Sequence, residues 1–168
     1  IAGGLGVKLA SPESDVCVMA GDGSYLMMNS EIATSVMLGL KLTIVVLDNR
    51  GFGCINRLQQ STGSAPFNNL LADAHHKTLP EIDFAAHAAS LGALAEKVDG
   101  IAALEAAFAR AKKNDRTTVI VIDTDPVKST EAGGAWWDVA VPQVSPRKQV
   151  EEARKSYDAM TPHQRKGG

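Results

Sequence analysis

Val16-Cys17-Val18-Met19-Ala20-Gly21-Asp22-Gly23-Ser24 and, one crossover later, Leu42-Thr43-Ile44-Val45-Val46-Leu47-Asp48-Asn49 decide the fold. Each is a short apolar run that ends in residues able to carry chemistry. Runs of this length and composition read as buried strands. Residues 24 to 48 separate Gly23 from Asn49, the length of one helical crossover. Parallel neighbours joined by a helix deliver Asp22 and Asn49 to the same carboxyl edge of a sheet, where open α/β sheets bind ligands. A carboxylate and an amide oxygen are hard ligands suited to Mg²⁺. The glycines beside them let backbone approach a phosphate closely. The implied ligand is a diphosphate held through a metal.

The bulk composition sets the frame around that site. A chain of 168 residues with 45% hydrophobic content is expected to form one domain. A net charge of -2 argues against a nucleic-acid surface. No stretch is long and apolar enough to span a membrane, and Ile1 onward lacks a signal-peptide layout, so a cytoplasmic location is expected. Two cysteines give no disulfide framework, and Cys17, mid-strand, reads as a small buried hydrophobe. Ile1–Ala10 looks like the middle of a packed helix. Gly3, Gly4 and Gly6 are costly there unless another backbone packs closely. The opening therefore points to a fold that is N-terminally incomplete.

The rest alternates helix and strand. Ser11-Pro12-Glu13-Ser14 is a turn. Asn29 or Ser30 caps a helix to about Leu40, with Ile32, Ala33, Val36, Met37 and Leu40 as its sheet-facing stripe. A short helix is expected after Gly53 to about Gln60, then a polar, irregular stretch from Ser61 to Thr78. Pro80 and Glu81 open a helix to about Leu91, which Gly92 ends. Ala93–Val98 reads as a short strand. Asp99 or Gly100 caps an alanine-rich helix to Lys113, and Thr117–Asp123 is another buried strand. This order predicts an α/β fold with a doubly wound, mainly parallel sheet. Residues 1–146 are read as the diphosphate-binding domain, and 147–168 as a charged C-terminal helix and tail.

Other motifs fail on their own chemistry. An EF-hand needs oxygen ligands and a loop glycine where Tyr25, Leu26 and Met27 stand. A dinucleotide fingerprint at Gly4-x-Gly6 has Leu9 in place of its third glycine. No G-x-S-x-G serine elbow occurs.

The combined pattern, GDGS, a crossover, then an apolar run ending Asp48-Asn49-Arg50-Gly51, resembles the diphosphate-binding domain of thiamine diphosphate enzymes. This family includes acetohydroxyacid synthases and 2-oxoacid decarboxylases. The resemblance covers essentially the whole chain and implies that Asp22, Asn49 and the Gly51 carbonyl hold Mg²⁺. It also implies that Gly21, Gly23, Ser24 and Phe52 line the cofactor, thiamine diphosphate. Where the family usually shows Asn-Asn, this chain has Asp48-Asn49, and the ligand is the second of the two. Asp48–Gln59, Ala65–Asn69 and Gly133–Val139 resemble the ring-opening hydrolase branch of the family, which acts in inositol breakdown. That branch cleaves a C–C bond between two ring carbonyl carbons of a small-molecule substrate. The family's activating glutamate lies in another domain, outside this chain. The resemblance therefore implies N-terminal domains of the same protein, a homodimer or tetramer, and no activity in this part alone.

Several residues stay open at this stage. His75-His76 reads as surface loop before ligand pair, and His87 as a packed histidine. Cys54 reads as packing. Arg57 is a cation that could meet polyol hydroxyls, with Asn56 and Gln59 as further donors. Trp136-Trp137, next to the Gly133-Gly134 hinge, suits a lid, an oligomer contact or a core position equally. A 2-oxoacid decarboxylase or acetolactate synthase is the rival enzyme, and a noncatalytic cofactor-binding subunit the rival of another kind.

Overall fold

A computed structural model of the chain describes residues 1–128 and 138–164. They form two compact units: Ile1–Phe52 with His76–Asp125, and Gly53–His75 with the described part of 126–168. Gly133, Gly134, Trp136 and Trp137 lie outside the described residues.

The first unit is built on a four-stranded parallel sheet in the order β1-β2-β4-β3. The strands are β1 (Cys17–Gly21), β2 (Thr43–Asp48), β3 (Leu94–Val98) and β4 (Thr118–Asp123). Successive side chains of a strand point to opposite faces, and the core divides accordingly. Ile44, Val46, Val119 and Val121 meet one set of helices, contributed by α1 (Ala2–Ala10), α2 (Asp22–Met27), α3 (Glu31–Met37) and α5 (Phe84–Ser90) through Leu5, Tyr25, Ile32, Phe84 and Ala88. On the other face Ile120 packs against Ala107 and Ala111 of α6 (Gly100–Lys113). Helices on both faces make the sheet doubly wound. They also explain why β2 and β4, its central strands, are buried at nearly every position and apolar between their polar ends.

Several expectations are corrected. β1 is an edge strand and half exposed: Met19 is 69% exposed, and Cys17 is exposed rather than buried. An apolar run carries no mark of its place in the sheet order, so β1 reads like β2 although only one flank is paired. α3 stops at Met37, whose side chain points to solvent, and Ser35 takes the buried place assigned to Met37. Burial of Ser35 is allowed because its hydroxyl bonds Ile32 O at 2.7 Å and Thr117 Oγ1 at 2.8 Å. α5 begins at Phe84 rather than at Pro80, because the Asp83 carboxylate accepts the Ala86 N–H at 2.9 Å and caps the helix. Of the three early glycines only Gly4 meets the sheet: a Cβ there would collide with Val18 of β1, whereas Gly3 and Gly6 face open space. The close neighbour is a side chain, not a backbone.

The second unit contains α4 (Gly53–Ser61), a 3₁₀ turn at Leu71–Asp73 and α7 (Lys148–Met160). Leu70, Val141 and Val150 are buried in it. Arg147 donates to Gly63 O at 3.3 Å and Arg154 to Val141 O at 2.9 Å, which ties the start and middle of α7 to the loops.

Candidate functional site

Strand register fixes the site. Gly21 pairs with Leu47 and Asp48 with Asp123, so the residues following β1 and β2 leave the sheet side by side at its carboxyl edge. The chain does not loop after Gly21. It turns at once into α2, six residues long, whose first residue is Asp22. A helix this short leaves little periodic pattern in the sequence.

Asp22 is 4% exposed and uses both carboxylate oxygens on the loop after β2. Its Oδ2 accepts the Gly51 N–H at 2.7 Å and its Oδ1 the Asn49 N–H at 3.3 Å. Burial pushes the Asp22 carboxyl above the ordinary carboxylate range, with the neighbouring Asp48 charge adding to the rise and the two backbone N–H bonds opposing it. A charge held in such a place gains from a cation beside it.

The Asn49 side chain completes the cluster. One terminal atom of its amide stands 2.8 Å from the Gly51 carbonyl oxygen and 3.2 Å from Asp22 Oδ1. With nitrogen in that place the amide donates to both. With oxygen there, three lone-pair-bearing oxygens converge with no proton between them, an arrangement that only a cation makes favourable. Octahedral Mg²⁺ holds oxygens at about 2.0–2.1 Å, which sets adjacent ligands about 2.9 Å apart. The observed spacings fit that donor set. Turning one amide exchanges two donated hydrogen bonds for a third oxygen facing the other two. Among the described residues no three His, Cys, Asp or Glu side chains gather at one point. The cluster consists of one carboxylate, one carboxamide and one backbone carbonyl.

Asp48 holds the loop in shape, a role the sequence reading left blank. Its carboxylate is almost fully buried, accepts the Arg50 N–H at 3.0 Å and lies 3.6 Å from the Arg50 guanidinium. Its carbonyl accepts the Thr124 N–H at 2.7 Å. Arg50 has φ +60°, a left-handed conformation that costs a non-glycine residue ~1–3 kcal/mol, and Gly51 follows at φ +145°. The Asp48 bonds offset that cost and turn the Gly51 carbonyl toward Asn49. Gly23 is needed for a different reason: a Cβ there would lie 2.6 Å from the Phe52 ring, which packs directly on it. Ser24 is exposed at the start of α2. Asp22, Gly23, Asn49, Gly51 and Phe52 thus gather at one edge.

The remaining candidates fall elsewhere. His75 and His76 are exposed. His87 is half-buried on α5 and bonded to Tyr25, a packed histidine as read. Cys54 is exposed, so the packing role assigned to it does not hold. Within the second unit Arg57 is half-buried, Gln59 accepts from Asn69 Nδ2 at 2.5 Å, and Asn56 is 2% exposed with its Oδ1 unpartnered among the described residues.

With that geometry in hand, comparison with known proteins decides the family. The model of the thiamine pyrophosphate enzyme C-terminal TPP-binding domain matches residues 1–122. The chain belongs to this family. It is 37% identical over 160 residues to a 3D-(3,5/4)-trihydroxycyclohexane-1,2-dione hydrolase from Bacillus licheniformis, covering 95% of this chain and 25% of the relative. It is 39% identical over 162 residues to a protein of the same name from Geobacillus thermodenitrificans, covering 93% and 25%. The chain therefore spans about a quarter of the length of these curated relatives. Two solved structures share its fold. A benzoylformate decarboxylase from Polynucleobacter necessarius superposes with a TM-score of 0.63 at 24% identity, over 76% of this chain and 23% of the other. A thiamine diphosphate-dependent 4-hydroxybenzoylformate decarboxylase from Rhodococcus jostii gives 0.59 at 23% identity, over 73% and 22%. Among the described residues no helix is long and apolar enough to cross a membrane.

Proposed function

We propose that this thiamine pyrophosphate-family chain is the diphosphate-binding part of a Mg²⁺-dependent hydrolase that opens the ring of a trihydroxycyclohexane-1,2-dione, giving 5-deoxy-glucuronate in myo-inositol breakdown. The observation that carries the substrate is 37–39% identity over 93–95% of the chain to proteins named for that reaction. Support for the metal comes from the convergent oxygens of Asp22, Asn49 and Gly51. These three would hold Mg²⁺, with Gly21, Gly23, Ser24 and Phe52 beside the cofactor. Residues 1–146 form the cofactor-binding part in this reading, and 147–168 an appended helix and tail.

Bound thiamine diphosphate supplies an electron sink for the carbanion left when a C–C bond beside a carbonyl breaks. The protein contributes orientation. Asp22 and Asp48 fix the loop after β2 against the start of α2 at one sheet edge, so that diphosphate and metal would be held in a single geometry. In the net reaction water adds across the bond between the two carbonyl carbons. One carbon gains hydroxyl and becomes the carboxylic acid; the other gains hydrogen and becomes the aldehyde. The activating glutamate comes from outside this chain. The working enzyme is accordingly a longer cytoplasmic protein, dimeric or tetrameric, and residues 1–168 alone are inactive.

The test gives the full-length protein the trihydroxy dione and, separately, pyruvate, and measures the linear acid and released CO₂. Ring-opened acid from the dione without rapid CO₂ from pyruvate is expected. Rapid decarboxylation with no ring-opened product would replace this reading with that of a decarboxylase or synthase.

A further inference from the structure

We propose that Tyr25 and His87 form a positioning pair, outside the cofactor's own contacts, whose hydrogen bond holds α2 in place and so sets how Asp22 is presented to the metal. The inference rests on the cofactor reading above and adds two residues to it.

It starts from the weakness of α2. Six residues are far too few for a stable isolated helix, and α2 has no side-chain cap. Its position must come from tertiary contacts. Ser24, Leu26 and Met27 are exposed, which leaves Asp22, Gly23 and Tyr25 as its buried residues. Asp22 and Tyr25 are three apart and share one side of the helix. Asp22 faces the loop after β2, and Tyr25 is its counterweight.

Tyr25 is wholly buried, the largest such side chain in the first unit. Its ring stands edge-on to Phe84, with centroids 5.3 Å apart at 81°, and edge-on to His87 at 5.7 Å and 76°. Its hydroxyl lies 2.8 Å from His87 Nδ1. A buried hydroxyl without a partner is costly, and His87 is its partner among the described residues. Burial pushes the Tyr25 phenol up to about 12, so it keeps its proton. The imidazole tautomer sets the sense of the bond: Nδ1 either accepts from the phenol or donates to its oxygen.

The grip is firm on the α5 side. Phe84 and His87 are three apart on α5, so the helix holds Tyr25 at two points. α5 is itself fixed by the Asp83 cap and by burial of Phe84 and Ala88 in the core. The path from α5 to the metal ligands runs through one side chain. His87 and Tyr25 need touch neither cofactor nor substrate to matter.

The experiment uses the full-length protein with Tyr25→Phe, His87→Leu, His87→Asn and the double variant Tyr25→Phe/His87→Leu. Affinity for thiamine diphosphate at saturating Mg²⁺, kcat at saturating cofactor, and amide exchange of residues 22–27 in the cofactor-free protein are measured. Tyr25→Phe and His87→Leu should each weaken cofactor binding roughly 3- to 10-fold, the scale of one buried hydrogen bond. The double variant should be no weaker than the worse single, since both remove the same bond. His87→Asn, whose amide keeps a hydrogen-bonding atom near the place of Nδ1, should stay within about twofold of wild type. Amides of α2 should exchange faster in both singles and at the wild-type rate in His87→Asn, with kcat at saturation retained throughout. A purely structural loss would not be rescued by His87→Asn and would not separate affinity from kcat. Unchanged affinity and exchange in both singles, or losses that add in the double, would overturn the pair. A wild-type protein with no affinity for thiamine diphosphate would overturn the cofactor reading instead, and the exchange rates would still decide the pair.

Discussion

At the scale of the residue, the site depends on a few side chains whose roles differ in kind. Asp22 and Asn49 offer oxygens, Asp48 shapes the loop that carries one of them, and Gly23 leaves room for Phe52. The last of these gives a sharp expectation. Gly23→Ala places a methyl group against a ring that is 42% exposed and can swing outward. Overpacking of this kind costs about 1–3 kcal/mol, and the low end applies where the neighbour can move. The larger effect should be on cofactor affinity, because in the proposed reading the displaced ring lies beside the cofactor. Phe52→Ala removes the clash, so Gly23→Ala should add little in its presence, a non-additivity that a double-mutant cycle of binding affinities reads directly. Asp22, Asn49 and Gly51 were legible as candidates because glycines and oxygen-bearing residues punctuated two apolar runs. The service of Asp48 was not legible: it depends on a left-handed Arg50, and nothing in a local string marks an arginine at φ +60°.

At the scale of the element, what could be read followed burial. β2 and β4 are covered on both faces and appear as unbroken apolar runs. α6 carries its period over fourteen residues and ends in Arg110, Lys112 and Lys113, close to its expected span. Elements that depend on neighbours were misjudged. β1 is apolar but lies at the edge. α2 is too short to show a period, and its fixing residue, Tyr25, sits in the run Tyr25-Leu26-Met27-Met28, where it reads as one more bulky side chain. Pro80 marks a sound local start for α5, which the competing Asp83 cap defeats. That contest is testable. Asp83→Ala should cost about 1 kcal/mol of stability, within the 0.5–2 kcal/mol range for lost caps. Pro80→Ala, exposed and outside any helix, should stay within about 0.5 kcal/mol. Denaturant unfolding of the full-length protein would separate them, and equal costs would place the working start of α5 at Pro80 after all.

At the scale of the molecule, a parallel sheet brings two strand ends together and presents a small set of oxygens at its carboxyl edge. The rest of the first unit supports that placement: the crossover that makes β1 and β2 parallel neighbours, the helices that bury both faces, and the Tyr25 contact with α5. The chain spans about a quarter of the length of its curated relatives, and in the proposed reading catalysis belongs to a longer protein and the metal-holding oxygens to this part. The most direct test is therefore binding rather than turnover. Full-length wild type, Asp22→Ala and Asn49→Ala should be titrated with thiamine diphosphate, with and without Mg²⁺. The account predicts Mg²⁺-dependent binding in the wild type, weakened more than tenfold in each variant, which is about 1.4 kcal/mol or more. Unchanged affinity in both variants would contradict it.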